Sequence, residues 1–381
     1  MTNIRNLITK MEIINTVIRE GKGHLDHPED LVFLEDEQGA RRAIDAIVAT
    51  VENPEKITIK FDGYPALIFG RGADGKFSIM DKHMFNKKDG TGRQVYSPQE
   101  FAQYDANRNV DRADLHDMIS RIWQGLEKDD RASNGFYWGD MLFGNPLTDH
   151  AGVYQFKANP NGIAYTVDVK SDIGKLLTGK NAAIAVHQFI PADAITTDQA
   201  VSLDGSIGNL QNASNVAIVP SKMPITPKLK LNTNLKKIAE QALSKYGNSV
   251  RELMMTAPQA RNTFNQLFTV FVNKKIVSGS LTNLARDFME FVEARPMSDR
   301  MRSKISQHLN AHKPAIIGAF KIWAALYNLK MDIVNQLNAA AASSPVRGQL
   351  ADGKSSQEGF VANGLKFVDR LGFSRQNLAG K

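Results

Sequence analysis

The stretch from Lys228 to Ser344 constrains the fold most, because it is almost wholly helical in pattern and its flanks are not. Phe264, Leu267, Phe268 and Phe271 recur on one helical face, as do Leu281, Leu284, Phe288 and Phe291. Such spacing marks amphipathic helices whose apolar stripe faces a core. These aromatic stripes are therefore expected to be core and not base-stacking platforms. Pro296 and Pro314 punctuate the stretch.

Outside the block the periodicity changes repeatedly. Ile4, Leu7, Ile8, Met11, Ile14 and Ile18 predict a helix over residues 3–20, and residues 39–52 and 97–129 are also helical in pattern. From Lys56 onward Ile57, Ile59 and Phe61 alternate with Thr58, Lys60 and Asp62, which is a strand pattern. Leu67–Phe69 and Phe77–Met80 are short strands joined across the turn cluster Gly72–Lys76, a predicted hairpin. Further strands are expected at 136–138, 152–156, 163–167 and 183–186. After Pro345 the chain returns to strand and turn character. Two strands do not stand alone in water, so the tail is expected to rejoin the first sheet. The fold class is α+β: residues 1–227 and 346–381 form antiparallel sheets with flanking helices, and residues 228–345 form an inserted helical domain. No internal repeat is visible.

Composition excludes several chemistries. None of the 381 residues is cysteine, which removes disulfides, thiolate zinc sites and cysteine nucleophiles. No run of eighteen apolar residues exists, so no membrane span is expected. The N-terminal segment carries Glu12 and Glu20 and lacks a signal-peptide apolar block, which predicts a cytoplasmic setting. The net charge is +7 and the pI near 9.3. That balance suits a polyanionic partner, nucleic acid above all, or simply a lysine-rich surface.

Lys60-Phe61-Asp62-Gly63 stands where a strand pattern ends. A nucleophilic lysine must lose its proton near neutral pH, so it needs a partly desolvated, electropositive or metal-assisted site. Gly63 lets the backbone turn tightly beside it, and Asp62 supplies an acceptor for a ribose or an ammonium. Alone, the four residues equally describe a surface lysine before an ordinary Asp-Gly turn.

Three further motifs come after it in order: Trp138-Gly139-Asp140-Met141-Leu142-Phe143-Gly144, Glu358-Gly359-Phe360-Val361, and a lysine beyond it, Lys366. Together with Lys60-Phe61-Asp62-Gly63 and with Lys82 after the hairpin, this set resembles the covalent nucleotidyltransferase superfamily of ATP-dependent DNA and RNA ligases and mRNA capping enzymes. His24–Asp30 and Lys60–Ala66 also resemble uncharacterised bacteriophage proteins taken as members of that superfamily. The resemblance implies a ligase-type adenylation domain. Lys60 would form a lysyl-AMP with ATP, and AMP would pass to a 5′-phosphate end that a 3′-hydroxyl then attacks. It implies Lys82 and Lys366 as catalytic cations, and Ile59, Phe61, Asp62, Gly63 and Glu358 around the nucleotide. Tyr165, or else Phe156, would stack on adenine. Asp140 and Glu358 would hold Mg²⁺, with Mn²⁺ as the alternative ion.

The pattern departs from the family in three ways. Asp140 stands where glutamate is usual, and Pro65 where some ligases place an arginine. Asn363-Gly364 predicts a two-residue hairpin pairing Val361 with Lys366, which would turn Lys366 away from the Glu358 face. After Lys366 the chain has no room for the OB-fold of capping enzymes. The resemblance therefore leans toward bacteriophage RNA ligases, RNA over DNA as partner, and the infected host cytoplasm. Two other functions share these residues: AMP transfer to a protein or small molecule, and a non-catalytic nucleic-acid binder on a ligase scaffold. Retention of Lys60, Asp140 and Glu358 together argues against the second.

Other residues carry paired readings. His24, Asp26 and His27 are either metal ligands or a locally packed turn, and His83 either touches phosphate or is a surface histidine. Arg300, Arg302, Lys304, Lys313, Lys321 and Lys330 are either a phosphate clamp or a solvated helix face.

Overall fold

The computed structural model describes residues 25–61, 63–86, 95–128, 134–158, 164–203, 215–258, 261–349, 357 and 359–372. The helix predicted over 3–20 and His24 lie outside them. The elements run β1 (Ile57–Lys60), β2 (Ala66–Arg71), β3 (Phe77–Met80), β4 (Gly135–Phe143), β5 (Val153–Lys157), β6 (Ala164–Asp168), β7 (Ala182–Pro191), β8 (Val201–Ser202), β9 (Val216–Pro220), β10 (Lys222–Ile225), β11 (Val346–Gln349), β12 (Phe360–Ala362) and β13 (Leu365–Phe367). The helices are α1 (Leu31–Glu52), α2 (Lys82–Phe85), α3 (Pro98–Ala106), α4 (Ala113–Glu127), α5 (Asp172–Leu177), α6 (Thr233–Met255), α7 (Arg261–Ser278), α8 (Leu284–Glu293), α9 (Asp299–Ala311) and α10 (Lys313–Ala341). The architecture is α+β, as expected. None of the described helices is long and apolar enough to cross a membrane.

Several helix starts come directly from local chemistry. Ser97, Ser171, Asn232 and Ser298 accept N–H bonds from Glu100, Gly174, Leu235 and Met301, capping α3, α5, α6 and α9. Asp81 does the same for Met84 at the head of α2.

The chain divides into two compact units. The first comprises residues 1–25, 59–223 and 341–358, and the second residues 26–58, 224–340 and 359–381. The second unit is thus wider than the helical insertion predicted over 228–345. It takes α1 from the N-terminal part and the β12–β13 hairpin from the tail.

Unit 1 is built on a sheet in the order β3-β2-β4-β7-β8, with β9 also against β7. The predicted β2–β3 hairpin pairs Ile68 with Met80 and Arg71 with Phe77. β9 runs parallel to β7, Ile184 opposite Ile218, whereas only antiparallel pairing was expected. The reason lies in composition: Val216–Val219 is a short continuous apolar run, buried throughout, and such runs show no period. Helices α3 and α4 close the core with Phe101, Ile119, Ile122 and Trp123 against Phe77, Ile79 and Phe136. A smaller sheet, β11-β6-β5, brings part of the tail back to Tyr165 and Val167.

Unit 2 packs the predicted stripes as core. Phe264, Phe268, Phe271 and Phe288 are buried with Phe33 and Phe320, and Phe268 stacks on Phe288 at 4.2 Å between centroids. The tail hairpin forms as predicted: Asn363 and Gly364 both take positive φ, and Val361 faces Lys366. It belongs to a sheet ordered β10-β1-β12-β13.

Beside this core is a buried charge cluster. Lys330 Nζ lies 2.7 Å from Glu29 Oε1, and both side chains are fully buried. Arg370 donates from Nη1 to Glu29 at 3.1 Å and to Asp30 at 2.9 Å, and from Nη2 to Asn273 at 2.5 Å. Trp323 Nε1 donates to Asp30 Oδ1 at 2.9 Å. Lys330 is therefore an internal cation and not part of a solvated helix face. His27 is buried too, with Nδ1 3.2 Å from the Lys366 carbonyl. Burial and the nearby Arg370 push it well below its ordinary 6.5, so the ring is neutral. The burial of this ring and its contact with the Lys366 carbonyl fit a packed turn at His27.

Burial alone would raise the Glu29 carboxyl, but the charges of Lys330 and Arg370 outweigh it and bring it from 4.5 down to about 2. A depressed carboxylate stabilises the fold fully above its unfolded value and loses that contribution as pH falls toward the folded one. Glu29→Gln should cost about 3–5 kcal/mol in denaturant unfolding at neutral pH, since it leaves Lys330 buried without its counter-charge. The gap between variant and unaltered protein should narrow as pH falls from 4.5 toward about 2. A gap that stays constant across that window would contradict this role for Glu29.

Candidate functional site

Lys60 is the last residue of β1, half-buried, in unit 1. Backbone contacts fix the turn after it. The Phe61 N–H donates to the Ser221 carbonyl at 2.8 Å, and the Ser221 N–H donates to Val186 of β7 at 3.0 Å. The Tyr64 N–H reaches the Met141 carbonyl at 3.0 Å, and the Met141 N–H returns to Pro65 at 3.0 Å. Gly63 lies so close that an added Cβ would collide with the Met141 carbonyl. The Lys60 motif is thereby seated directly against the strand that carries Asp140. Gly139 is needed for a matching reason: a Cβ there would strike the Ala185 carbonyl.

Asp140 is largely buried and pairs across the sheet with Ala66. Trp138, two residues earlier, lies on the same face. On β7 the register shifts between Gly139, paired with Val186, and Trp138, paired with Gln188. The extra residue is His187. β-Bulges of this kind re-aim side chains and recur beside active sites. Here the bulge sets His187 Nε2 3.6 Å from Asp140 Oδ2, with its ring 5.3 Å from Trp138. Lys82 is exposed at the head of α2, and its ammonium sits 5.2 Å over the Trp138 ring. Trp138 Nε1 is buried and has no hydrogen-bond partner among the described residues.

A charged network holds Lys82 in place. Arg112 donates to Asp81, the cap of α2, at 2.9 Å and to Asp105 at 2.9 and 2.5 Å, while His116 Nε2 lies 2.8 Å from Asp105. Burial pulls the Asp105 carboxyl upward, but hydrogen bonds from Arg112 and His116 prevail and hold it below its ordinary value. His83 Nδ1 lies 3.0 Å from the Tyr104 hydroxyl, so its ring is engaged locally.

Residues 22–381 match the family of unknown function DUF6267. The chain belongs to that family. No curated protein and no solved structure matches it.

In this DUF6267 chain the predicted site residues separate into groups. Lys60, Gly63, Lys82 and Asp140 all belong to unit 1, and Gly63 and Asp140 share one backbone junction. Asp62 and Glu358 lie outside the described residues. Ile59 and Phe61 are fully buried, so their side chains are core and only their backbone faces the Lys60 turn. Tyr165 is buried at 1% exposure, its ring edge-to-face with Phe61 at 5.2 Å and tilted on Phe156 at 5.6 Å. Both rings are thus spent on an aromatic cluster and present little face to a base, contrary to the predicted stacking role. Lys366 belongs to unit 2, its N–H bonded to the Asp26 carbonyl and its side chain lying over Gly359. That is the Val361 face, as the two-residue turn predicts. Among the described residues no group of three His, Asp or Glu is placed to hold a metal.

Two further residues of the site escape a reading of sequence alone. His187 gives no signal because a bulge is invisible in a strand pattern. Tyr64, exposed at 64% directly after Gly63, borders the lysine motif without a role in it. Gly63→Ala should cost about 1–3 kcal/mol in denaturant unfolding, because the Met141 backbone has nowhere to move. A variant as stable as the unaltered protein would show that the junction is looser than described.

Proposed function

We propose that the chain is an ATP-dependent polynucleotide ligase acting on RNA ends through an AMP carried on Lys60. The observation that carries this reading is the junction of Gly63 and Tyr64 with Met141. It seats the turn that follows Lys60 against the strand that carries the largely buried carboxylate Asp140, and Lys82 belongs to the same unit. The motif order and the net charge of +7 support it further.

The chemistry balances in three steps. The neutral Lys60 amine attacks the α-phosphorus of ATP, a P–N bond forms, pyrophosphate leaves and the amine gives up a proton. An oxygen of a 5′-phosphate end then attacks the same phosphorus, and the P–N bond breaks with return of a proton to Lys60. Finally a 3′-hydroxyl attacks the activated 5′-phosphorus, AMP departs and the hydroxyl proton is lost. Each step builds charge on phosphoryl oxygens, which fixed cations stabilise. Lys82 supplies such a charge on a capped helix. Asp140 offers a hard oxygen ligand, which suits a divalent ion that keeps most of its contacts for waters and phosphates; that ion would neutralise phosphate charge. The exposed Tyr64 ring beside Gly63 suits a base better than the buried Tyr165.

The test is covalent labelling. With α-³²P-ATP and a divalent cation the protein should take up label, and Lys60→Ala should take up none while unfolding at the same temperature as the unaltered chain. Asp140→Asn should slow labelling by about 100-fold. Label should leave on addition of 5′-phosphorylated RNA. An unlabelled intact protein overturns the reading. Label that no nucleic acid removes would shift the acceptor to a protein or small molecule.

A further inference from the structure

The bulge on β7 places an imidazole beside the Asp140 carboxylate. His187 is the unpaired residue between Val186 and Gln188, and its Nε2 stands 3.6 Å from Asp140 Oδ2. Two donors bonded to one ion at about 2.1 Å each are separated by roughly 3 Å, so this pair needs only a small adjustment to share a cation. Both side chains are mostly buried, at 21% and 12% exposure, so neither is a long surface group free to swing away. The Trp138 indole N–H is buried beside the His187 ring with no hydrogen-bond partner among the described residues, a donor left over for an oxygen brought by the ion.

We infer that Asp140 and His187 together form a divalent transition-metal site, which prefers Mn²⁺ to Mg²⁺. A carboxylate alone suits Mg²⁺, whereas an imidazole ligand favours borderline transition ions. Two protein ligands leave the remaining positions to water and phosphate oxygens. The site rests on the ligase reading only for what the ion does there, since its geometry involves neither Lys60 nor nucleotide.

The experiment measures binding of Mn²⁺ to the full chain without nucleotide, through loss of the free-ion paramagnetic resonance signal, with Mg²⁺ as competitor. The unaltered protein should bind Mn²⁺ and release it only to a large excess of Mg²⁺. His187→Gln should weaken Mn²⁺ binding by about tenfold or more, as should Asp140→Asn. His187→Asp retains an oxygen ligand and should bind the ion with less discrimination against Mg²⁺, which guards against a variant that merely misfolds. Absence of Mn²⁺ binding, equal binding by His187→Gln, or displacement by equimolar Mg²⁺ would each overturn the site. Mn²⁺ bound with these variant effects, in a chain that never takes label, would refute the ligase reading and leave the metal site standing.

Discussion

At Gly63 the chain approaches the Met141 carbonyl more closely than any side chain allows, and the position of Lys60 depends on it. Two reciprocal hydrogen bonds, Tyr64 to Met141 and Met141 to Pro65, hold the turn against β4. A third, from Phe61 to Ser221, fixes the other side. A strand-end lysine is thereby held in a rigid frame. This precision matters to any reaction in which the amine must meet an electrophile in line.

Unit 1 and unit 2 handle charge by different means. In unit 1 the acidic groups Asp81 and Asp105 sit in partly accessible pairs that brace a helix head, and Lys82 on that helix remains open to solvent. In unit 2 Glu29, Asp30, Lys330 and Arg370 are sealed inside. Such a cluster contributes little net stability over an apolar core, but losing one member is expensive. It therefore fixes one arrangement of Pro28–Asp30, α10 and the tail more than it strengthens that arrangement.

Much of this was legible in the sequence. The β2–β3 hairpin, the aromatic stripes of α7 and α8, and the Asn363-Gly364 turn arise from local periodicity and turn chemistry. The same turn also foretold that Lys366 would pair with Val361. The features that stayed hidden depend on distant contacts. Lys330 reads like any helix lysine until Glu29 closes over it. Tyr165 reads like an available ring until Phe61 and Phe156 bury it. His187 reads like an alternating strand residue until the register slips. The parallel strand β9 was missed because a fully buried run carries no period.

The discontinuity of the two units bears on how the chain is made. Each unit is assembled from three separated segments, and each includes residues beyond 340. Asp30 obtains its guanidinium partner only when Arg370 has been synthesised. Until then the emerging polypeptide holds Glu29 and Asp30 beside a helical core it cannot close over them. Closure of this cluster therefore joins residues some 340 positions apart, and contacts of such long sequence separation form late.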